Sequence, residues 1–249
     1  MMQFVLAFVM FAVVSYGAPF VPFVHASEAP HIEKQDWSFK GLRGDWDKAQ
    51  LLRGYEVATQ VCLSCHSFKY VSHRDLMRVH FSEEEAKALA ANANIDWNAK
   101  MVSMLSPADA KESYGKEIPD LSIMNKARHG GADYVYALMT GYKDLSEEEM
   151  HHYFPDGMPE GANFNMAFPG HAIAMPKPLN EGQVEYRDGT EATVEQMAHD
   201  VAYFLQWTAE PELIKRKRLG VYVLLYLVIF TGLMYAWYKQ IWAPIKAKK

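Results

Sequence analysis

Hydrophobic positions recur with a helical period in four stretches of this chain and run unbroken in a fifth. From Asp47, a suitable N-cap, Leu51, Tyr55, Ala58 and Cys62 fall at i, i+4, i+7 and i+11, which predicts a helix with one apolar face. Thr193 to Trp207 predicts a second, with Thr193 and Gln196 in capping-box positions and Val194, Met197, Val201, Phe204 and Leu205 on one side; Pro211 should end it. Gly54 lies inside the first helix at a cost of roughly 1 kcal/mol relative to alanine, which is tolerable where another helix crosses closely. The Thr193 helix is the candidate for that crossing. Ser82–Ala91 reads as a capped, solvated helix and Gly130–Tyr142 as a short amphipathic one, whereas Tyr153–Arg187 is rich in Pro, Gly and Asn and has no long period.

The unbroken run, Leu219 to Tyr238, carries no charge, and at ~1.5 Å per residue it matches the ~30 Å hydrocarbon core of a bilayer. It predicts a transmembrane helix, with Tyr235, Trp237, Tyr238 and Trp242 as an aromatic belt. A second apolar run, Phe4 to Val24, is broken by Gly17, Pro19 and Pro22 and followed by Val24-His25-Ala26, which fits a secretory signal cleaved after Ala26. It lacks a positive n-region, so an uncleaved anchor or a longer precursor is the alternative. The expected organisation is a signal peptide at 1–26, an exported domain at 27–212, an anchor at 213–240 and a short basic cytoplasmic tail at 241–249. Within 27–212, Trp37, Phe39 and Trp46 should pack back onto the domain from an otherwise polar segment.

Charge sharpens this picture. All 30 acidic residues lie between Glu28 and Glu212, while eight of the 25 basic residues lie at or beyond Lys215. The exported domain is therefore strongly acidic, which argues against nucleic acid and suits a basic protein partner.

The only two cysteines stand in Thr59–Tyr70, "TQVCLSCHSFKY", with a histidine after the second. A thioredoxin-like redox pair needs a strand-to-helix setting, but Cys62 comes at the end of a helical pattern. A structural zinc site needs about four ligands, and Cys62, Cys65 and His66 lack a second paired motif. Covalent haem attachment is the reading for which C-x-x-C-H is specific: two thiols three residues apart reach two vinyl groups, and the next imidazole turns under the ring to the iron. A closed iron then needs a distal ligand, and a methionine thioether would raise its potential. Among 14 methionines, Met158 and Met175 precede prolines in loops; Met158 sits among charges, while Met175 follows the apolar "AFPGHAIA" and is the better candidate, with Met166 as a further one. Arg128, before a Gly-Gly pair, could meet an anionic propionate or simply face solvent. His129, His171 and His199 read as core or supporting residues, and His151 and His152 as surface.

The segments "LLRGYEVATQVCLSCHSFKYVSHRDL", "IPDLSIMNKARHGGADYVYALMTGY" and "FNMAFPGHAIAMPKPL", followed by a basic-flanked C-terminal anchor, closely resemble the cytochrome c1 family, the haem subunits of ubiquinol:cytochrome c reductase. The resemblance runs from about Trp37 to the C-terminus. It implies a mainly α fold: an enlarged class I cytochrome c-like haem domain with long loops plus one C-terminal transmembrane helix, its first and last helices crossing near Gly54 and Phe204. It implies one haem c held by Cys62 and Cys65, with His66 and Met175 on the iron, Arg128 at a propionate, and Pro119, Leu121, Tyr134, Ile173 and Pro178 lining the pocket. No catalytic residue of its own is implied. The implied partners are cytochrome b, the Rieske iron-sulfur protein, a basic soluble or anchored cytochrome c, and membrane lipid. The implied location is a bacterial inner membrane with the haem domain on the periplasmic side, or the equivalent mitochondrial membrane. The rival roles are a cytochrome serving a terminal oxidase or dehydrogenase, or a haem peroxidase with an open distal site. Glu83–Glu85 and Glu147–Glu149 could form an acidic rim for a basic carrier or be solvated helix starts. The stretch Asn92–Lys116 departs from the family by lacking an asparagine- and proline-rich run.

Overall fold

The computed structural model describes residues 30, 32–79 and 81–247; the predicted signal peptide lies outside them. In chain order the α-helices among these residues are α1 (Lys48–Gln60), α2 (Glu83–Asn92), α3 (Pro107–Tyr114), α4 (Met124–Ala127), α5 (Ala132–Thr140), α6 (Glu147–Tyr153), α7 (Val194–Ala209) and α8 (Leu213–Lys246), with 3-10 helices at Cys62–Ser64 and His73–Val79. Two small antiparallel ladders accompany them, β1 (Phe68–Ser72) with β2 (Lys100–Met101), and β3 (Asn163–Phe164) with β4 (Ala172–Ile173). Strands β2, β3 and β4 have two residues each, too short to leave an alternating pattern in the sequence, and burial along the five residues of β1 does not alternate.

The centre is the crossing of α1 and α7. Asp47 caps α1, its Oδ1 accepting from the Ala49 amide at 2.9 Å, and Leu51, Tyr55 and Ala58 are buried on the predicted face. Thr193 caps α7, accepting from Gln196 N at 3.1 Å, but Gln196 Nε2 donates to Asp200 Oδ2 at 2.8 Å instead of closing the capping box. A Cβ added at Gly54 would stand 2.1 Å from Asp200 O and 2.7 Å from Phe204 Cβ, so the backbones touch here and only glycine fits. Charge is buried at the same contact. Asp200 Oδ2 also accepts from Arg53 Nε at 3.0 Å, and Arg53 continues to Asp188 at 2.8 Å. A carboxylate with no exposed side chain is tolerable only because a cation and an amide meet it.

Around this pair, α5 and α4 pack on α7, with the buried Asn125 Nδ2 donating to Ala202 O at 3.0 Å. Helix α2 is capped as predicted, Ser82 and Glu85 bonding reciprocally, but it is not simply solvated: Ala86, Leu89 and Ala90 are buried. Alanines at those positions give too weak an apolar signal to show a buried face. Trp37, Phe39 and Trp46 pack back as expected, ringing Tyr203, whose hydroxyl accepts from Asp47 N at 2.7 Å. Trp37 Nε1 donates to Asp133 Oδ1 at 2.6 Å. Burial alone would raise that carboxyl, but hydrogen bonds from Gln35, Trp37 and Lys40 outweigh it and hold Asp133 below its usual range.

Helix α8 is long and apolar enough to cross a membrane, and none of its most apolar stretch is buried in the domain. Its first turn belongs to the domain, since Leu213 and Ile214 are each only 7% exposed and join the core. The helix continues to Lys246, through the stretch that the sequence divides into anchor and tail. A chain ended after Arg218 is expected to be soluble and folded. One ended after Glu212 loses two core side chains worth roughly 1.5–3 kcal/mol each at full burial. Comparing their thermal unfolding checks this: equal midpoints would mean that the first turn of α8 adds nothing to the domain.

Candidate cofactor site

Helix α1 ends at Gln60 and tightens into a single 3-10 turn, Cys62–Ser64. Cys62 O accepts from both Cys65 N at 3.1 Å and His66 N at 2.8 Å, which wraps the three chemical side chains around one turn. Both thiols are free and half-buried. Burial, with Cys65 beside it, pushes the Cys62 thiol up to about 12. A redox dithiol needs the opposite, a lowered thiol pKa. Among the described residues no three His, Cys, Asp or Glu side chains come together as a metal site. A neutral thiol in apolar surroundings suits a thioether bond to carbon.

His66 is oriented by its backbone neighbour. Its Nδ1 lies 2.8 Å from Pro119 O, so Nδ1–H donates and Nε2 keeps its lone pair for a ligand position. Burial lowers the His66 pKa, against opposing effects of that bond and of Asp120, which favours the neutral imidazole a metal needs. Pro119 is exposed and acts through its carbonyl, whereas Leu121 is buried and its amide donates to Ser67 O at 2.8 Å. Asp120 secures the same seam, accepting from Lys69 N and Ser122 N at 2.9 Å each.

Met175 is half-buried just after β4, and its carbonyl accepts from Tyr142 Oη at 3.1 Å and Asn163 Nδ2 at 3.4 Å. The turn before it is held by the buried Asn165, whose Nδ2 donates to Leu138 O at 2.7 Å and whose Oδ1 accepts from Ala167 N at 3.0 Å. His171 completes that turn in the left-handed region at φ 59°, an uncommon conformation for histidine that fixes how the chain enters β4. Tyr134 and Ile173 are buried, and Pro178 is half-buried. Burial raises the Tyr134 hydroxyl and the nearby Arg128 offsets it; burial also raises Tyr142, with Tyr134 adding to the effect. Arg128 itself is exposed, with one nitrogen donating to Ala127 O at 3.2 Å. Of the other methionines, Met158 is half-buried despite its charged surroundings, and Met166 is exposed, its Sδ accepting from Tyr153 Oη at 3.9 Å.

One stretch, Pro119 to Tyr142, thus holds both halves: its first residue bonds His66 and its last bonds the Met175 backbone. Asn163, Asn165, Tyr142 and His171 were not singled out as Met175 supports by sequence reasoning. They act through single hydrogen bonds and one backbone angle, and only the "FPG" turn preceding His171 hints at them. Tyr142→Phe is expected to cost about 1 kcal/mol, the net worth of one hydrogen bond, and to loosen the Met175 segment. Faster amide hydrogen exchange at Ala174 and Met175 checks this, with unchanged exchange counting against it.

The donor set of two free thiols, an imidazole with its tautomer fixed and a thioether on a braced loop fits a covalently held haem. Comparison with known proteins agrees. The Cytochrome C1 family matches residues 37–245. Cytochrome c1 of Rhodospirillum rubrum is 41% identical over 241 residues, covering 86% of this chain and 89% of its own. A mitochondrial relative in Arabidopsis thaliana, named as cytochrome c1 2, heme protein, is 40% identical over 245 residues, covering 90% of this chain and 76% of its own. A Candida albicans protein named as the catalytic subunit of the mitochondrial cytochrome b-c1 complex is 37% identical over 244 residues, covering 90% and 82%. With the C-x-x-C-H turn at the end of its first helix and a match over nearly all its described length, this chain belongs to the cytochrome c1 family.

Proposed function

We propose that this chain binds one haem c through Cys62 and Cys65, with His66 and Met175 as its two axial ligands, and relays electrons from a Rieske iron-sulfur protein to a cytochrome c within the cytochrome b-c1 complex. The observation that carries this is the shared brace, Pro119 holding His66 and Tyr142 holding Met175. When bound, haem c supplies an iron that gains and loses one electron. The chain's own residues attach and orient it. The paired thiols fix one edge, the Pro119 carbonyl keeps Nε2 of His66 aimed outward, and Tyr142 with Asn163 limits how far the Met175 segment can swing. Leu121, Tyr134 and Ile173 supply apolar wall, and Arg128 would meet an anionic propionate.

Exposed apolar side chains lie near the C-x-x-C-H turn, among them Val102 at 52% and Met104 at 100%, and Ser103 between them bonds Ser64 O at 3.0 Å. An exposed apolar patch beside the haem-attachment turn of a strongly acidic domain supports brief docking of a basic carrier. Of the six clustered glutamates, Glu83, Glu85 and Glu149 pair with Lys87, Lys48 and Lys143; Lys48 opens α1, at the end away from the C-x-x-C-H turn, so Glu147 and Glu148 are the better candidates to face a basic partner. Helix α8 crosses the bilayer in this reading, beside cytochrome b, with the acidic domain on the exported side.

Covalent attachment is tested by haem staining after denaturing electrophoresis. The wild-type band is expected to retain haem, and a Cys62→Ser, Cys65→Ser double variant to lose it. Stain retained by the double variant would sink the assignment.

A further inference from the structure

The turn between Trp37 and Trp46 is a rigid loop with an apolar tip. Asp45 N donates to Ser38 O at 3.1 Å and Ser38 Oγ donates to Asp45 O at 3.0 Å, closing it at both ends. Gly41 turns at φ 74°, and a Cβ at Gly44 would stand 2.3 Å from Lys40 O, so the path of the loop is fixed. Leu42 at its tip is 76% exposed. A lone exposed leucine is ordinary; where this one is pinned is not.

Lys217 Nζ donates to Phe39 O at 2.6 Å and to Gly41 O at 2.9 Å, and Arg218 pairs with Asp45 at 2.7 Å. Lys217 and Arg218 are the last residues before the uncharged Leu219–Tyr238 run, within about 3 Å of its start along the helix axis. The headgroup layer on each side of a bilayer is only about 5–7 Å thick. The loop is therefore stapled to the helix at headgroup height. Lys40 and Arg43 flank Leu42 and both are exposed; Lys40 is turned back onto Asp133 at 3.2 Å, whereas Arg43 makes no ion pair among the described residues.

We propose that the Lys40–Gly44 turn is a second membrane contact of this chain, with Leu42 seated among the phospholipid headgroups and Arg43 against their phosphates. The inference rests on the reading that α8 spans the bilayer. The apolar tip, the unpaired Arg43 beside it and direct continuity with the span all select lipid as the occupant. A single helix lets the domain tilt about its exit point. A contact off the helix axis resists that tilt and fixes the height and attitude of the domain over the membrane.

The test uses the full chain in its assembled complex, reconstituted in vesicles of phosphatidylcholine with phosphatidylglycerol. A nitroxide is attached at Leu42→Cys and, separately, at Ile229→Cys in mid-span. Collisions with oxygen, which concentrates in lipid, are compared with those with a water-soluble nickel chelate. The oxygen-to-nickel ratio at Leu42 is expected to be several-fold above that of the free label in buffer, and higher still at Ile229. A ratio at Leu42 equal to that of the free label, with Ile229 lipid-exposed, overturns the membrane contact alone. An immobile label at Leu42 that neither reagent reaches also overturns it, in favour of a covering protein subunit. Free access of nickel at Ile229 would remove the spanning reading and the inference with it.

Discussion

Met175→Leu should leave the haem covalently attached, lower its reduction potential and stop electron transfer. Leucine replaces methionine with little change in volume, a swap that usually costs less than about 1.5 kcal/mol, so the fold should persist. What disappears is the thioether lone pair, and a methionine ligand is one of the features that raises the potential of a c-type haem. The Tyr142 and Asn163 bonds go to the Met175 carbonyl and survive the substitution. The side chain is thus removed from an intact loop. Potentiometric titration of the purified variant is the check. An unchanged potential and spectrum would move the assignment to Met158 or Met166; Met166 is the weaker of the two, because it is exposed and already accepts a hydrogen bond from Tyr153.

Gly54→Ala is expected to destabilise the domain by about 3 kcal/mol or more, at or beyond the upper end for overpacked cores. The added methyl would meet Asp200 O and Phe204 Cβ at 2.1 and 2.7 Å, and the nearest of these is backbone, which cannot swing aside. Separating α1 from α7 would also pull Arg53 from the fully buried Asp200 carboxylate, leaving a charge without its partner. Helix propensity acts the other way, since alanine is worth roughly 1 kcal/mol over glycine, so the sign of the result decides between packing and propensity. Thermal unfolding of the full chain in detergent checks this, and a midpoint at or above that of the wild type would contradict the close crossing.

The same crossing shows how far the sequence could be read. Gly54 inside an apolar face, opposite a second strongly periodic segment, was enough to place the helix pair, because burial sets the period and close approach selects the glycine. The four-residue helix Met124–Ala127 and the two-residue strands left no such mark, since about one period of an element cannot show a repeat. At the candidate site the attachment turn was legible, because thiols at fixed spacing before a histidine leave few chemical alternatives. The supports were not. Pro119 serves through a carbonyl, which every residue carries, and Tyr142, Asn163 and Asn165 each contribute hydrogen bonds to a loop 10 or more residues away in sequence or across the turn itself. Lys215–Arg218 read as a membrane-flanking basic cluster; two of its cations, Lys217 and Arg218, also fasten the Phe39–Asp45 loop. Charge pattern alone cannot distinguish a lysine facing phosphate from one folded back onto a carbonyl.

The central claim is that both axial positions are filled by this chain, by His66 and by Met175. Exposure of the reduced, purified complex to carbon monoxide at neutral pH tests it most directly, read in the absorption of the c-type haem. The account predicts no change in that spectrum for the wild type and a rapid change for Met175→Leu. Rapid binding to the wild type would show an open distal position and contradict the assignment.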